Sequence, residues 1–154
     1  LRRSRGLGDV YKSPTLPECA MAAADAYQQA GVTDPRAQIA MAEVHDCFTP
    51  TELVLMEDLR FSERGVGWKD VLDGTFALDG ALPVNSDGGL KSFGHPVGAS
   101  GLRMHYECWL QMRGEAPEDR RIPATDKKLA LVHNLGGYPG EMVSFVSIVG
   151  PELG

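Results

Sequence analysis

A short apolar run at residues 38–44 constrains the fold more than any other stretch, because it passes directly into a polar corner and then a helix start. Its length and its strand-compatible residues predict a buried β-strand. His45, Asp46 and Cys47 follow this strand at once. Because open α/β sheets bind ligands at the carboxyl ends of their strands, this corner is the first candidate for a functional site.

Three helices are expected. Residues 49–52 (Thr-Pro-Thr-Glu) predict a capping box and a helix to about residue 60. Residues 15–18 predict another capping box, for a helix that ends before Gly31. The third helix should begin near residues 98–101 and end at residue 113. Its apolar stripe is predicted to comprise Leu102, Tyr106, Trp109 and Leu110.

Two more strands are expected near the end of the chain. Residues 129–134 and 142–149 are joined by a Gly/Pro-rich turn, which predicts an antiparallel pair that closes a mixed sheet. Residues 61–82 predict a long surface loop with one short helical turn near residues 68–72. Residues 7–11 are interpreted as a connection or as the ragged end of a strand. We therefore expect one α/β domain over residues 1–154.

The charge balance excludes some classes of partner. The chain has a formal net charge of −6, whereas proteins that bind nucleic acids or anionic membranes need a concentrated basic face. No apolar run approaches the ~20 residues that span a bilayer, and the first residues lack the apolar core of a signal peptide. The three cysteines form no Cys-x-x-Cys pair, which favours reduced thiols and a cytoplasmic protein.

Residues 85–101 place His95 between two Gly-rich runs, the second of which opens a helix. Glycine lets the backbone come close to a ligand, so we expect a ligand near this imidazole on both sides. The glycine spacing matches neither the dinucleotide-binding fingerprint nor the phosphate-binding P-loop.

His45 and Cys47 form a second candidate, because residues two apart at a strand end point to the same face. An imidazolium favours a thiolate and brings the thiol pKa toward the working range, so the pair suits nucleophilic or acid/base chemistry. Zinc binding is the rival use, but the paired ligand spacing of structural zinc sites is missing. His105 and Cys108 are interpreted as structural.

Four motifs in order carry a family resemblance. They are residues 43–48 (Glu-Val-His-Asp-Cys-Phe), 85–90 (Asn-Ser-Asp-Gly-Gly-Leu), 94–101 (Gly-His-Pro-Val-Gly-Ala-Ser-Gly) and 133–137 (His-Asn-Leu-Gly-Gly). From about Ser13 the chain resembles the C-terminal half of a thiolase, in the sterol-carrier-protein-type branch whose members are also called lipid-transfer proteins or acetyl-CoA acetyltransferases. The resemblance implies a layered α-β-α fold, with a mixed β-sheet and helices on both faces, incomplete at its N-terminus.

The resemblance also implies residue roles. Thiolases exchange acyl groups with coenzyme A by Claisen chemistry, through a cysteine nucleophile on the N-terminal half. His95 matches the histidine that activates this nucleophile and helps to bind a thioester oxyanion. His45 stands where an asparagine orients a water in an oxyanion hole, and Cys47 is the acid/base group for the substrate α-carbon. The other expected site residues are Asn134, in place of the usual second cysteine; Gly136, with its N–H in an oxyanion hole; and Gly98 and Ser100, in contact with coenzyme A.

Two departures keep other functions open. The nucleophile motif is absent, Cys19 lies in the wrong context, and the first residue is Leu, so we expect the chain alone to be inactive and to need an N-terminal thiolase half. Tyr138 stands where relatives carry small residues. A phenol there either packs or acts as an acid/base group, and the latter favours a thiolase-like retro-aldolase that cleaves a β-hydroxyacyl-CoA with an OB-fold and zinc-ribbon partner.

A noncatalytic thiolase-like subunit is the third possibility. The family also implies a homodimer or homotetramer, acyl-CoA as substrate, no permanently bound cofactor and no metal.

Overall fold

A three-stranded mixed sheet forms the centre of the domain. The computed structural model describes residues 14–137 and 141–151, so the strand expected at residues 7–11 lies outside the described part. The strands are β1 (Ile39–Glu43), β2 (Leu129–Gly136) and β3 (Val143–Val149), in the order β1-β2-β3. β1 and β2 run parallel, and β2 and β3 run antiparallel. The predicted mixed sheet and its antiparallel pair are confirmed.

Six α-helices and one short 3₁₀ helix are present among the described residues. They are α1 (Pro17–Ala30), α2 (Pro35–Gln38), α3 (Thr49–Asp58), α4 (Gly67–Leu72), α5 (Gly89–Phe93), α6 (Ser100–Met112) and the 3₁₀ helix Glu118–Arg120. The three long helices that the sequence predicts are α1, α3 and α6.

Helices cover both faces of the sheet. On one face, Ala42 and Leu131 pack with Tyr27 of α1 and Leu55 of α3. On the other face, Met41, Ala130 and Val132 pack with Met104 and Cys108 of α6. Neighbouring strand residues point to opposite faces, which is why the all-buried strand β1 feeds both clusters. The predicted layered α/β fold is confirmed.

The two predicted capping boxes are wrong. The hydroxyl of Thr15 donates to Asp58 Oδ1 at 2.8 Å, and the N–H of Leu16 donates to Asp58 Oδ2 at 2.7 Å. At the start of α3, where the other capping box was predicted, Glu52 Oε1 accepts a hydrogen bond from Asn85 Nδ2 at 2.7 Å. Both helices begin without a side-chain cap and carry a proline in the first turn. Long-range partners therefore replace the local capping bonds, and these partners tie the helices to the rest of the domain.

The predicted apolar stripe of α6 does not face the core of the described domain. Leu102 is 74 % exposed, Tyr106 is 59 % exposed and Trp109 is 45 % exposed. The buried side of this helix instead carries Ser100, Met104, Glu107, Cys108 and Gln111. The helix thus presents an apolar face to the outside of the described domain and buries a partly polar one.

The segment between α3 and residue 82, which was predicted to be a surface loop, is partly buried. The short helix α4 confirms the predicted turn near residues 68–72. Phe61 and Leu82, at the two ends of the segment, are fully buried in the core. Val84 then forms a parallel bridge to Ala42, which extends the sheet beside β1. Within the described residues, no helix has the length and apolar character that crossing a membrane requires.

Candidate active site

The corner after β1 is held in place by Asn85. The N–H of Val44 donates to Asn85 Oδ1 at 2.8 Å, and Asn85 Nδ2 donates to Glu52 at the start of α3. The N–H of Asn85 donates to the carbonyl of Ala42, so one residue clamps both the end of β1 and the first turn of α3. Asn85 has a φ of 54°, a left-handed conformation that asparagine tolerates better than most residues. These contacts of Asn85 fix the position of the segment that carries His45 and Cys47.

A second clamp joins the same corner to α5. The N–H of Leu90 donates to Asp46 Oδ1 at 2.7 Å. Gly89 lies against this carboxylate, and a Cβ atom added there would stand 2.3 Å from Asp46 Oδ2. Only glycine therefore fits at position 89, and Asp46 holds the start of α5 against the corner after β1.

His95 lies just before α6, and its ring is tied to the first turn of that helix. Its Nδ1 is 2.8 Å from the hydroxyl oxygen of Ser100. Ser100 is buried, whereas His95 is exposed. One nitrogen of the ring is therefore engaged inside the protein, and Nε2 is the nitrogen that remains for a ligand.

The same pattern holds for His45. Its Nδ1 is 3.1 Å from Asn134 Oδ1, and Asn134 Nδ2 donates to the sulfur of Met104 at 3.0 Å. His45 and His95 lie edge to face, with ring centroids 5.0 Å apart. Residues from the β1 corner, the α6 start and the end of β2 thus converge on one place.

A cavity of about 710 Å³ opens at this point. All the predicted site residues within the described part of the chain line it; these are His45, Cys47, His95, Gly98, Ser100, Asn134 and Gly136. Tyr138 lies outside the described residues. Apolar side chains, among them Phe48, Val97 and Phe145, complete the lining. The cavity combines a thiol and two imidazoles with an apolar wall.

The family follows from the match of almost the whole chain to one family model. Residues 9–149 match the model described as "Thiolase C-terminal domain-like". The chain belongs to the thiolase family. The resemblance seen in the four motifs is confirmed.

Two curated relatives of this thiolase domain represent the predicted branch. An acetyl-CoA acetyltransferase of Methanothermobacter thermautotrophicus is 40 % identical over 77 % of this chain and 30 % of its own length. Sterol carrier protein 2 of Homo sapiens is 39 % identical over 85 % of this chain and 23 % of its own length.

A solved structure is also similar to this thiolase domain. This structure, the "Ltp2-ChsH2(DUF35) aldolase", matches with a TM-score of 0.70 and 28 % identity over 91 % of this chain and 34 % of that one. The chain thus spans about a quarter to a third of the length of these proteins.

The environment of Cys47 in this thiolase domain differs from the expected one. Burial raises the pKa of the Cys47 thiol, and the negative charge of Asp46 adds to this effect, although Lys91 opposes it. The expectation that a neighbouring imidazole brings the thiol pKa down is therefore wrong for this structure. At neutral pH the resting form of Cys47 is the protonated thiol, which can donate a proton.

Both burial and neighbouring groups change the pKa of His45. Burial lowers the pKa of His45, and the nearby His95 lowers it further, whereas the hydrogen bond to Asn134 acts in the opposite direction. The resting form of His45 at neutral pH is the neutral imidazole. A neutral ring offers an unprotonated nitrogen at Nε2, because its Nδ1 proton is donated to Asn134.

His133 does not join the cavity, although the sequence groups it with Asn134. It is fully buried, and burial lowers its pKa to about 3. Its Nε2 lies 3.3 Å from the Ser144 hydroxyl. Alternation along β2 explains the separation, since adjacent strand residues point to opposite faces.

Glu43, the last residue of β1, is fully buried and contacts Arg103 and Ser86. Burial raises its pKa to about 8, although Arg103 opposes the shift at an Oε2–Nη1 distance of 3.5 Å. Arg103 also forms an ion pair with Asp87. Across residues 14–137 and 141–151, no cluster of three or more histidine, cysteine, aspartate or glutamate side chains could hold a metal ion.

Sequence reasoning missed the supporting residues of the site. Asp46, Asn85 and Met104 each fix a predicted site residue or its loop, yet none was assigned a role. Asp46 and Asn85 lie inside the motifs that carry the resemblance, so the sequence could have indicated that they belong to the site. Nothing in the sequence indicates a role for Met104, because its sulfur contact depends on how α6 packs on β2.

Proposed function

We propose that this chain is the C-terminal catalytic part of a thiolase-like acyl-CoA acyltransferase, which cleaves or forms a 3-oxoacyl-CoA. The observation that supports this proposal is that His45, Cys47 and His95 line one partly apolar cavity. Asn134 and Gly136 line the same cavity. In this proposal the nucleophilic cysteine belongs to an N-terminal half, and acyl-CoA is a substrate, not a resident cofactor.

The protonation state of Cys47 suits the protonation step of the cleavage reaction. When the nucleophile attacks the 3-oxo carbon, the bond between the α- and β-carbons breaks, and its electron pair passes to the α-carbon as a thioester enolate. The Sγ–H of Cys47 then protonates the α-carbon and leaves a thiolate. A thiol whose pKa is raised by burial is in the correct form for this step.

The enolate oxygen needs hydrogen-bond donors in a dry site. In the proposal the N–H of Gly136 donates to this oxygen directly, and His45 acts through a water that it holds by the lone pair of Nε2. His95 donates from Nε2 only after it has taken the proton of the nucleophile. Removing one such donor costs about 3–4 kcal/mol of transition-state stabilisation in comparable acyl-transfer sites.

The exposed face of α6 supports the proposed partner. The helix begins at the cavity with Ser100 and Gly101, and Leu102, Tyr106 and Trp109 continue outward from there. Tyr106 and Trp109 stack with ring centroids 5.8 Å apart. A monomeric surface seldom leaves such a stripe uncovered, so a packed N-terminal half is a suitable occupant.

The test uses the chain alone and the full-length protein. We expect no thiolysis of a 3-oxoacyl-CoA by the 154-residue polypeptide, and activity when the N-terminal half is present. In the full-length protein, Cys47→Ala should reduce kcat by about 10²-fold or more, whereas Cys19→Ala, at a buried cysteine outside the cavity, should leave most of it. Thiolysis by the chain alone, or full activity in Cys47→Ala, contradicts the proposal.

A second candidate is favoured by the structural match to an aldolase. In this alternative the enzyme cleaves a β-hydroxyacyl-CoA by a retro-aldol reaction, with Tyr138 as the acid/base group and an OB-fold and zinc-ribbon protein as partner. Tyr138→Phe and Cys47→Ala in the full-length protein separate the two. Loss of activity only in Tyr138→Phe supports the aldolase and overturns the acyltransferase.

A further inference from the structure

Ser100 is buried beneath His95, and its hydroxyl has two neighbours. One is His95 Nδ1 at 2.8 Å, and the other is the carbonyl oxygen of Pro96 at 3.1 Å. The same carbonyl accepts the N–H groups of Ala99 and Ser100. The Pro96 carbonyl is therefore fixed by the turn that starts α6, and Ser100 is only 3 % exposed.

The contact between the Ser100 hydroxyl and the Pro96 carbonyl points to one direction for each bond. A carbonyl oxygen can only accept, so the single hydroxyl proton of Ser100 is donated to Pro96. The Ser100 oxygen must then accept the proton of His95 Nδ1–H. In a neutral ring the other nitrogen, Nε2, carries the lone pair.

We propose that Ser100 is a positioning residue that holds His95 in its Nδ1–H tautomer, so that Nε2 is presented unprotonated to the cavity. This role differs from the predicted contact with coenzyme A. The tautomer is a property of the chain itself, whereas its use in taking a proton from a nucleophile rests on the proposed function.

The arrangement around His45 supports this interpretation from an independent contact. His45 Nδ1 faces an acceptor oxygen of Asn134, whose amide nitrogen is directed to Met104. Both imidazoles of the site thus donate from Nδ1 into the protein and keep Nε2 toward the cavity. The two side chains that fix them come from different elements, α6 and β2.

The first experiment reads the tautomer directly. Long-range ¹H–¹⁵N correlation spectra of the ¹⁵N-labelled chain are recorded at about pH 8.5, above the ordinary imidazole pKa of about 6.5. We expect the Nδ1–H pattern for His95 in the wild type and in Ser100→Thr, and a shift toward Nε2–H in Ser100→Ala. His45 is the internal control and should keep its tautomer in both variants.

An Nε2–H pattern for His95 in the wild type overturns the proposal even if Ser100→Ala does not fold. An unchanged tautomer in folded Ser100→Ala overturns it as well. These spectra need no substrate, so their outcome is separate from the outcome of the acyltransferase assays.

A kinetic measurement on the full-length protein distinguishes positioning from ligand contact. We expect Ser100→Ala to lower kcat by roughly 10- to 100-fold with little change in KM, and Ser100→Thr to restore most of the activity. A change confined to KM would mean that Ser100 contacts the substrate, which overturns the positioning role.

Discussion

The imidazole rings of His45 and His95 meet edge to face with their centroids 5.0 Å apart. At this distance the charge of His95 lowers the pKa of His45, in addition to the larger effect of burial. Burial of His45 means that this ring is the one held neutral.

This relationship predicts the titration of His45. In an NMR titration its pKa should lie below the ordinary value of about 6.5. Replacing the neighbour, as His95→Gln, should raise the His45 pKa, because the like charge is removed, but leave it below the ordinary value because burial persists. His105→Gln is the matched control, since His105 bonds the Gly101 carbonyl of its own helix. An unchanged His45 pKa in His95→Gln would show that the rings do not interact electrostatically.

The accessibility of Cys47 gives a second prediction. Cys19 and Cys108 are fully buried, whereas Cys47 is partly exposed at the cavity. Iodoacetamide should therefore modify the native chain at Cys47 alone, slowly at neutral pH and faster as the pH rises, because burial raises the pKa of this thiol. Mass spectrometry after timed labelling measures this. Denatured chain should be labelled at all three cysteines, and native Cys47→Ser at none; equal labelling of Cys19 in the native chain would contradict the structure.

The close approach of Gly89 to Asp46 gives a third prediction. Gly89→Ala places a methyl group against the carboxylate that accepts the Leu90 N–H, in addition to the strain of a φ of 65°. We expect a loss of about 3 kcal/mol or more in the free energy of unfolding, measured by urea denaturation.

The matched control for Gly89→Ala is Gly74→Ala. Gly74 has a φ of 74°, but nothing lies within 4 Å of an added Cβ. This variant should lose only about 1–2 kcal/mol, which is the cost of the backbone conformation. Equal losses in the two variants would mean that Asp46 moves aside freely and does not clamp the corner.

The sequence could predict the parts of this domain that depend on local pattern. Strand β1 and the β2–β3 pair were predictable because each is a short apolar run bounded by polar or Gly/Pro residues. The end of α1 at Gly31 followed from the left-handed conformation that glycine allows. His45 and Cys47 were predicted from their place at the end of a strand, and His95 was predicted from its Gly-rich flanks; the family motifs then implied their roles.

Features that depend on distant partners could not be predicted. Asp58 accepts from the Thr15 hydroxyl and from the Leu16 N–H, in place of the local bonds of the first capping box, and nothing near Thr15 in the sequence indicates this. The buried face of α6 carries Glu107 and Gln111, which are polar but satisfied by each other and by Arg120. Because burial of a polar side chain depends on such partners, the positions of the apolar residues alone do not show which face of α6 is buried.

His133 gives the last prediction, for stability in acid. Its Nε2 lies near the Ser144 hydroxyl, and its Nδ1 has no hydrogen-bond partner among the described residues. Burial holds the pKa of His133 at about 3 in the folded chain, whereas the unfolded chain takes up the proton near pH ~6.5. The unfolded state therefore binds more protons between these values, and the free energy of unfolding must fall as the pH falls.

The expected contribution of His133 is a loss of roughly 2–3 kcal/mol between about pH 6.5 and about pH 4.5, since one pKa unit corresponds to about 1.4 kcal/mol. Urea denaturation across this range should give a flatter pH profile for His133→Leu than for the wild type. His105→Gln is the matched control, because it removes an imidazole that is only partly buried. If His133→Leu keeps the wild-type slope, His133 is not held neutral by the fold, and other groups cause the acid sensitivity.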